Sequence, residues 1–194
     1  MYLLIYLLIY IFFVFFLRTF LLWERTGINP LTFKNGDDAH GFNGKVFSFI
    51  SVPELIVISI YAFSDYWRDY LLPLWYLENP FLQKIGWVLL LISLILVWVA
   101  QSQMANSWRI GIDEMNKTDL VTTGLFRYSR NPIFLGIMIA NIGLFLALPN
   151  AFTMLIVALS TVSVNTQIRL EEEYLVKTHS DAYAQYKNKV GRWL

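Results

Sequence analysis

Two clusters of charge bracket one apolar hairpin. Arg127 and Arg130 stand three residues apart, just before Asn131-Pro132, where an apolar run begins. Glu171, Glu172 and Glu173 follow Arg169, just past the point where the next apolar run ends at Gln167. A helix that starts at Pro132 leaves N–H groups free, and these favour an anion. The arginine forks add bidentate donors, so this end suits a carboxylate or a phosphate. One of the glutamates could pair with a cation: an α-amino group, a sulfonium, or Arg130 or Arg127 itself. A plainer account treats the arginines as positive-inside anchors and the glutamates as a solvated flank. Spacing alone leaves both accounts open.

The elements between the clusters decide whether they can meet. The runs Pro132–Leu148 and Ala151–Gln167 are 17 residues each, joined at Pro149-Asn150. A helix rises 1.5 Å per residue, so equal lengths return the chain to the same membrane face. Both clusters should then share one lipid–water boundary, where a charged cofactor could be held against a lipid-borne substrate. The end of the second run is unusually polar, with Ser160, Thr161, Ser163, Asn165, Thr166 and Gln167. Together with Asn141, these residues fit either a pocket lining or helix–helix glue.

The chain as a whole reads as membrane protein. It has 194 residues, 57% of them hydrophobic and only 15% charged, with a mean hydropathy of +0.51. An all-α, polytopic bundle of about five transmembrane helices is expected, with spans near 2–23, 46–63, 83–105, 132–148 and 151–167. Met1–Leu17 lacks the basic start and the cleavage site of a signal peptide and reads as a retained first span. Ser51-Val52-Pro53-Glu54 interrupts the second span and resembles a capping box, so a kink is expected there. Glu54 is then either a satisfied cap or a buried functional carboxylate. Beyond Glu173, Tyr174, Leu175, Tyr183, Tyr186 and Val190 recur at helical spacing, so a cytoplasmic amphipathic helix is expected to pack on the bundle end or lie in the interface. Residues 1–105 would supply N-terminal spans and residues 106–194 the catalytic region of one compact domain.

Thirteen of the fifteen Lys and Arg residues fall in the first loop, the third loop and the tail, against two on the other side. The positive-inside rule places the thirteen, and an active site among them, in the cytoplasm of a cell membrane or endomembrane, with the N-terminus outside.

Several chemistries drop out. There is no cysteine, and the two histidines, His40 and His179, lack ligand spacing, so no metal is expected. No basic stripe points to nucleic acid. No G-x-G-x-x-G follows a strand, which removes a Rossmann enzyme, and no Ser-His-Asp set is evident.

Ser107-Trp108-Arg109-Ile110-Gly111-Ile112-Asp113 and the stretch Leu120–Gly136, with Gly124-Leu125-Phe126-Arg127-Tyr128-Ser129-Arg130-Asn131-Pro132-Ile133-Phe134 at its centre, resemble the isoprenylcysteine carboxyl methyltransferase family. Glu171-Glu172-x-x-Leu175 and Tyr183-x-x-Tyr186-Lys187-x-x-Val190 match its C-terminal pattern, so the resemblance covers about residues 100–194. It implies S-adenosylmethionine as cofactor. It also implies cofactor contacts at Asp119, Leu120, Val121, Gly124, Phe126, Arg130, Asn131, Pro132, Ile133, Phe134, Glu171 and Glu172. Asn131 stands where the family has histidine, and Phe134 where it has tyrosine. An arginine used near the family's substrate falls at Gln167, with Arg169 close by.

On this reading Glu171 fixes the cofactor, Arg130 and Asn131 grip its carboxylate end, and Arg169 or Gln167 steers the substrate. Arg130, Glu171 and Arg169 are the candidate catalytic residues. The expected partners are the bilayer and a prenylated cysteine or similar lipid. Three other readings stay open: a phospholipid N-methyltransferase needing Glu171 or Glu172 as base, an NADPH-dependent sterol-type reductase, and a non-catalytic scaffold.

Overall fold

The computed structural model describes residues 1–30, 38–112, 116 and 118–194. Lys34 and Lys117, two of the thirteen basic residues counted above, and Asp113 of the Ser107–Asp113 stretch lie outside the described residues. Among the described residues five long helices make an all-α bundle: α1 (Tyr2–Thr26), α2 (Ala39–Phe63), α3 (Pro80–Met104), α4 (Pro132–Ala147) and α5 (Ala151–Lys189). Four of them are long and apolar enough to cross a membrane; α4 is shorter but as apolar. The chain is a multi-pass membrane protein.

Helix α1 contains a π-helical turn at Phe12–Leu17 and ends where Gly27 turns left-handed (φ 67°). Arg18, in the C-terminal half of α1, is buried and is no surface anchor. Its guanidinium donates to the Gln101 and Ala105 carbonyls (2.7 and 2.8 Å) and so caps the negative end of α3.

Helix α2 differs from expectation. It begins at Ala39 rather than near residue 46, because Asp38 caps it by accepting from Gly41 N. It runs through Pro53 as one element. The Ser51 hydroxyl donates back to the Phe47 carbonyl (2.9 Å) rather than capping a new start. A proline inside an apolar span costs one backbone bond, which neighbouring groups can offset.

Helices α3 and α4 pack backbone to backbone. A Cβ on Gly86 would lie 2.6 Å from the Gly143 carbonyl oxygen, so only glycine permits the approach. The Ser93 hydroxyl adds a bond to the Gly136 carbonyl (2.8 Å). The α4–α5 hairpin turns at Pro149-Asn150, where Asn150 and Thr153 form a capping box. Leu74 N donates to the Pro149 carbonyl (2.9 Å), which clips the 64–79 connection over the turn.

The tail is not a separate helix from Glu173 onward. Helix α5 runs well past Gln167, and the break comes at Ser180 (φ 44°, ψ −116°). Only the last segment, carrying Tyr183 and Tyr186, folds across the end of the bundle, where both tyrosines are buried.

Candidate active site

The hairpin brings its two charged ends into contact. Arg130 Nη2 lies 3.0 Å from Glu172 Oε1. Both side chains are largely buried, and Arg192 completes the set with Nε to Oε1 (3.1 Å) and Nη2 to Oε2 (2.7 Å). A buried carboxylate between two guanidinia is satisfied on both oxygens. Burial raises the Glu172 carboxyl, but the hydrogen bond from Arg192 and the charges of Arg130 and Arg192 outweigh it and hold the group below its ordinary value.

The final residues are tied to the segment before α4. Arg130 N donates to the Gly191 carbonyl (3.0 Å) and Asn131 Nδ2 to the Arg192 carbonyl (3.0 Å). The Tyr186 hydroxyl donates to the Phe126 carbonyl (2.6 Å). The chain end is thus a strap across the mouth of the hairpin. Arg192 entered the sequence reading only as a tail charge.

Beside this strap opens a cavity of about 700 Å³. One end is polar. Asp119, Leu120 and Val121 of the loop line it, with Phe126, Arg130 and the Asn131–Phe134 start of α4. Gln167, Glu171 and Glu172 supply the α5 wall. The other end is apolar and lies within the spans, with Leu7, Ile50 and Leu144 around Tyr10 and Glu54. Glu54 is therefore a cavity-lining carboxyl and caps no helix.

Two residues from the sequence reading stand elsewhere. Gly124 makes a turn (φ +62°) against the side chain of Gln103, whose Oε1 accepts from Leu125 N (2.7 Å). Its freedom serves that turn and not the cavity. Arg169 is exposed and does not line the cavity. It is two residues from both Gln167 and Glu171, so a helix must turn it to another face.

Glu171 and Glu172 differ sharply although they are adjacent. Glu171 lies beyond the membrane-spanning part of α5, and among the described residues no guanidinium pairs with it. Burial pushes its carboxyl up to about 7, and the hydrogen bond from Gln167 Nε2 (3.0 Å) offsets only part of the rise. Across the polar end, Arg130 Nε is buried with no hydrogen-bond partner. An arginine that is ion-paired through Nη2 but unpartnered at Nε, and a carboxyl raised to about 7, therefore line one cavity.

Two further residues of this end escaped the sequence reading. His40 Nε2 accepts from Ile112 N (3.0 Å), and Asn43 binds Gln167 and Ser163. Both come from the first five residues of α2, in a stretch that gave no motif. Among the described residues no group of three or more His, Asp or Glu could hold a metal ion.

The profile of the phospholipid methyltransferase family matches residues 81–182, which span α3, the loop, α4 and α5 to just past Ser180. The chain belongs to the phospholipid methyltransferase family. A curated relative within reach of comparison is protein-S-isoprenylcysteine O-methyltransferase of Saccharomyces cerevisiae, 27% identical over 152 residues. The match takes in 77% of this chain and 63% of that protein, so the chain spans under two thirds of its relative's length. In this family member, the matched stretch contributes every cavity residue of the polar end except those of α2 and the strap.

Proposed function

We propose that the chain transfers a methyl group from S-adenosylmethionine to the carboxylate of a C-terminal prenylated cysteine, or a similar lipid acid, at the cytoplasmic face of its membrane. One observation carries the reading: a single cavity joins a charged end beyond the spans to an apolar end within them. A lipid tail can enter one end and a polar donor the other. The excess of Lys and Arg at the charged end argues for the cytoplasmic side. The name of the yeast relative supports the substrate class.

The residues present fit such a donor. Its amino-acid end needs an anion site, and Arg130 Nε is a buried donor without a partner. Its cationic groups need a carboxylate, and Glu171 faces the same space. The volume lies in the range of small-molecule sites. When bound, S-adenosylmethionine supplies a methyl group already activated on sulfur.

The protein then has to position and to dehydrate. Glu171 ionises against a cation and fixes it; Arg130 and the Asn131 edge orient the anionic end. Phe134 and Ile133 wall off water beside the acceptor, and near-attack placement contributes on the order of 7–11 kcal/mol in well-oriented cases. A carboxylate acceptor needs no base. Arg130, Asn131 and Glu171 would hold the donor with its activated methyl group toward that carboxylate, whose oxygen would accept it.

One observation favours a second reading. A carboxyl near 7 is also a competent base, so Glu171 could accept the proton of a lipid amine, as the family's name would suggest. The test is binding of S-adenosylmethionine to the purified chain, then transfer to N-acetyl-S-farnesylcysteine and, separately, to phosphatidylethanolamine. The proposal expects the cysteine methyl ester. Transfer only to the amine would hand the case to the second reading.

A further inference from the structure

The N-terminal end of α2 reaches the candidate site through a pair of buried amides, its own Asn43 and Gln167 of α5. Asn43 and Gln167 are 3% and 2% exposed. Asn43 Oδ1 accepts from the Ser163 hydroxyl (2.8 Å), while its Nδ2 donates to the Ser163 carbonyl (3.1 Å) and to Gln167 Oε1 (3.0 Å). Gln167 Nε2 in turn donates to Glu171 Oε1 (3.0 Å). His40 Nδ1 stands 3.5 Å from the same Nε2. The chain of bonds has one sense. Because the Ser163 carbonyl can only accept, it fixes Asn43 Nδ2 on the side it shares with Gln167 Oε1, and Gln167 Nε2 then faces the carboxylate.

We infer that Asn43 and Gln167 are positioning residues: a buried amide chain anchored on α2 aims the Glu171 carboxyl at the cationic part of the methyl donor and favours its ionised form. The inference deepens the proposed function and rests on it. Helix–helix glue would explain why α2 and α5 adhere. It would not require a fixed donor pointing at a cavity-lining carboxyl. Gln167 is thereby moved from steering substrate to orienting Glu171, since both of its polar atoms are engaged inside the wall.

The amide chain acts on ionisation as well as on aim. A donor on the carboxylate favours the charged form. Other groups share this end: Asp119 from the loop, Arg130 before α4, Glu172 with Arg192, Tyr183 and Tyr186 on the last segment, and His40 behind Gln167. Removing the Gln167 amide therefore moves the Glu171 titration upward while leaving the Arg130–Glu172–Arg192 set intact. Asn43→Asp does so by reversal. An aspartate can only accept, so it draws Gln167 Nε2 to itself and turns Gln167 Oε1 toward Glu171.

The experiment uses the full chain in nanodiscs. Calorimetry measures Kd for S-adenosylmethionine and for S-adenosylhomocysteine, which lacks the positive sulfur, between pH 5.5 and 8.5. In Gln167→Met and Asn43→Asp the preference for the cationic ligand should fall about tenfold and the acid limb of binding should move to higher pH. Gln167→Met keeps the volume and places an apolar side chain in an apolar wall, so it tests the idea even where Asn43→Asp folds poorly. The wild-type acid limb should persist in His40→Asn; its disappearance would assign the titration to the histidine and overturn the inference. Wild-type binding with both variants unchanged in preference and limb overturns the inference alone. No binding by the wild type overturns the donor reading, and this inference with it.

Discussion

The two ends of the cavity are held by different forces. At the charged end, Glu172 meets two guanidinia, and backbone groups of Arg130 and Arg192 cross-link the strap to the start of α4. At the membrane end, Leu7, Ile58, Leu90 and Leu144 pack in a shared core, and polar groups are few. Directional bonds fix positions to tenths of an ångström, whereas apolar contacts fix volume and tolerate exchange. A site that must aim one small polar molecule yet admit a flexible tail needs this division.

Breaking the charged end should show the largest effect. Glu172→Ala leaves Arg130 and Arg192 facing each other without a carboxylate. Removing one partner of a buried ion pair costs about 3–5 kcal/mol. Thermal denaturation in detergent should show that loss, and limited proteolysis should release the chain end. A variant as stable as wild type would mean that the strap is held by its backbone bonds alone.

Glu171→Ala should behave in the opposite way. No guanidinium holds Glu171, and burial disfavours its charge, so its loss should leave stability unchanged or raised. Binding should suffer instead. A hydrogen bond to a charged group contributes about 1.5–3 kcal/mol, or roughly 10- to 100-fold in Kd for S-adenosylmethionine. Unaltered binding would remove Glu171 from the site.

The same pair predicts a two-sided pH profile. Glu171 has its folded value raised to about 7, so its proton is held more tightly in the folded chain, and its contribution to stability declines as pH rises from the ordinary carboxyl range toward 7. Glu172 is depressed, so its contribution is full above the ordinary carboxyl range and is lost as pH falls through its folded value. Melting temperature should therefore peak in mildly acidic buffer. Glu171→Gln should flatten the neutral side only. Donor affinity runs against stability there, rising with pH through about 7 as the carboxylate forms.

How much of this was readable before folding follows the same division. The apolar runs and the equal-length hairpin predicted that Arg130 would meet the glutamates, and it does, although the partner is Glu172. Local signals also worked where they depended on neighbours in sequence, as at Pro132 and Asn150. What failed was non-local. Arg192 lies 20 residues from Glu172, and Asn43 lies 124 from Gln167, so no periodicity links them. The Ser51–Glu54 cap signal lost to the continuity of an apolar span, and the tail began its turn at Ser180 because helix formers such as Glu, Leu and Lys carry α5 past the membrane.

The smallest expected effect probes the membrane end. Glu54 lies 14 residues along α2 from His40, about 21 Å of helix axis, so it is far from the charged end. Glu54→Leu should relieve a carboxyl within the spans and raise stability by roughly 1 kcal/mol. Donor Kd should stay within about twofold of wild type, because aim is set at the other end. A KM change for the lipid acceptor, without a change in donor Kd, would confirm that the apolar compartment is read by the tail alone. If Glu54→Leu weakened donor binding as much as Glu171→Ala does, the two ends would form one electrostatic unit, and the contrast between bonded aim and packed volume would fail.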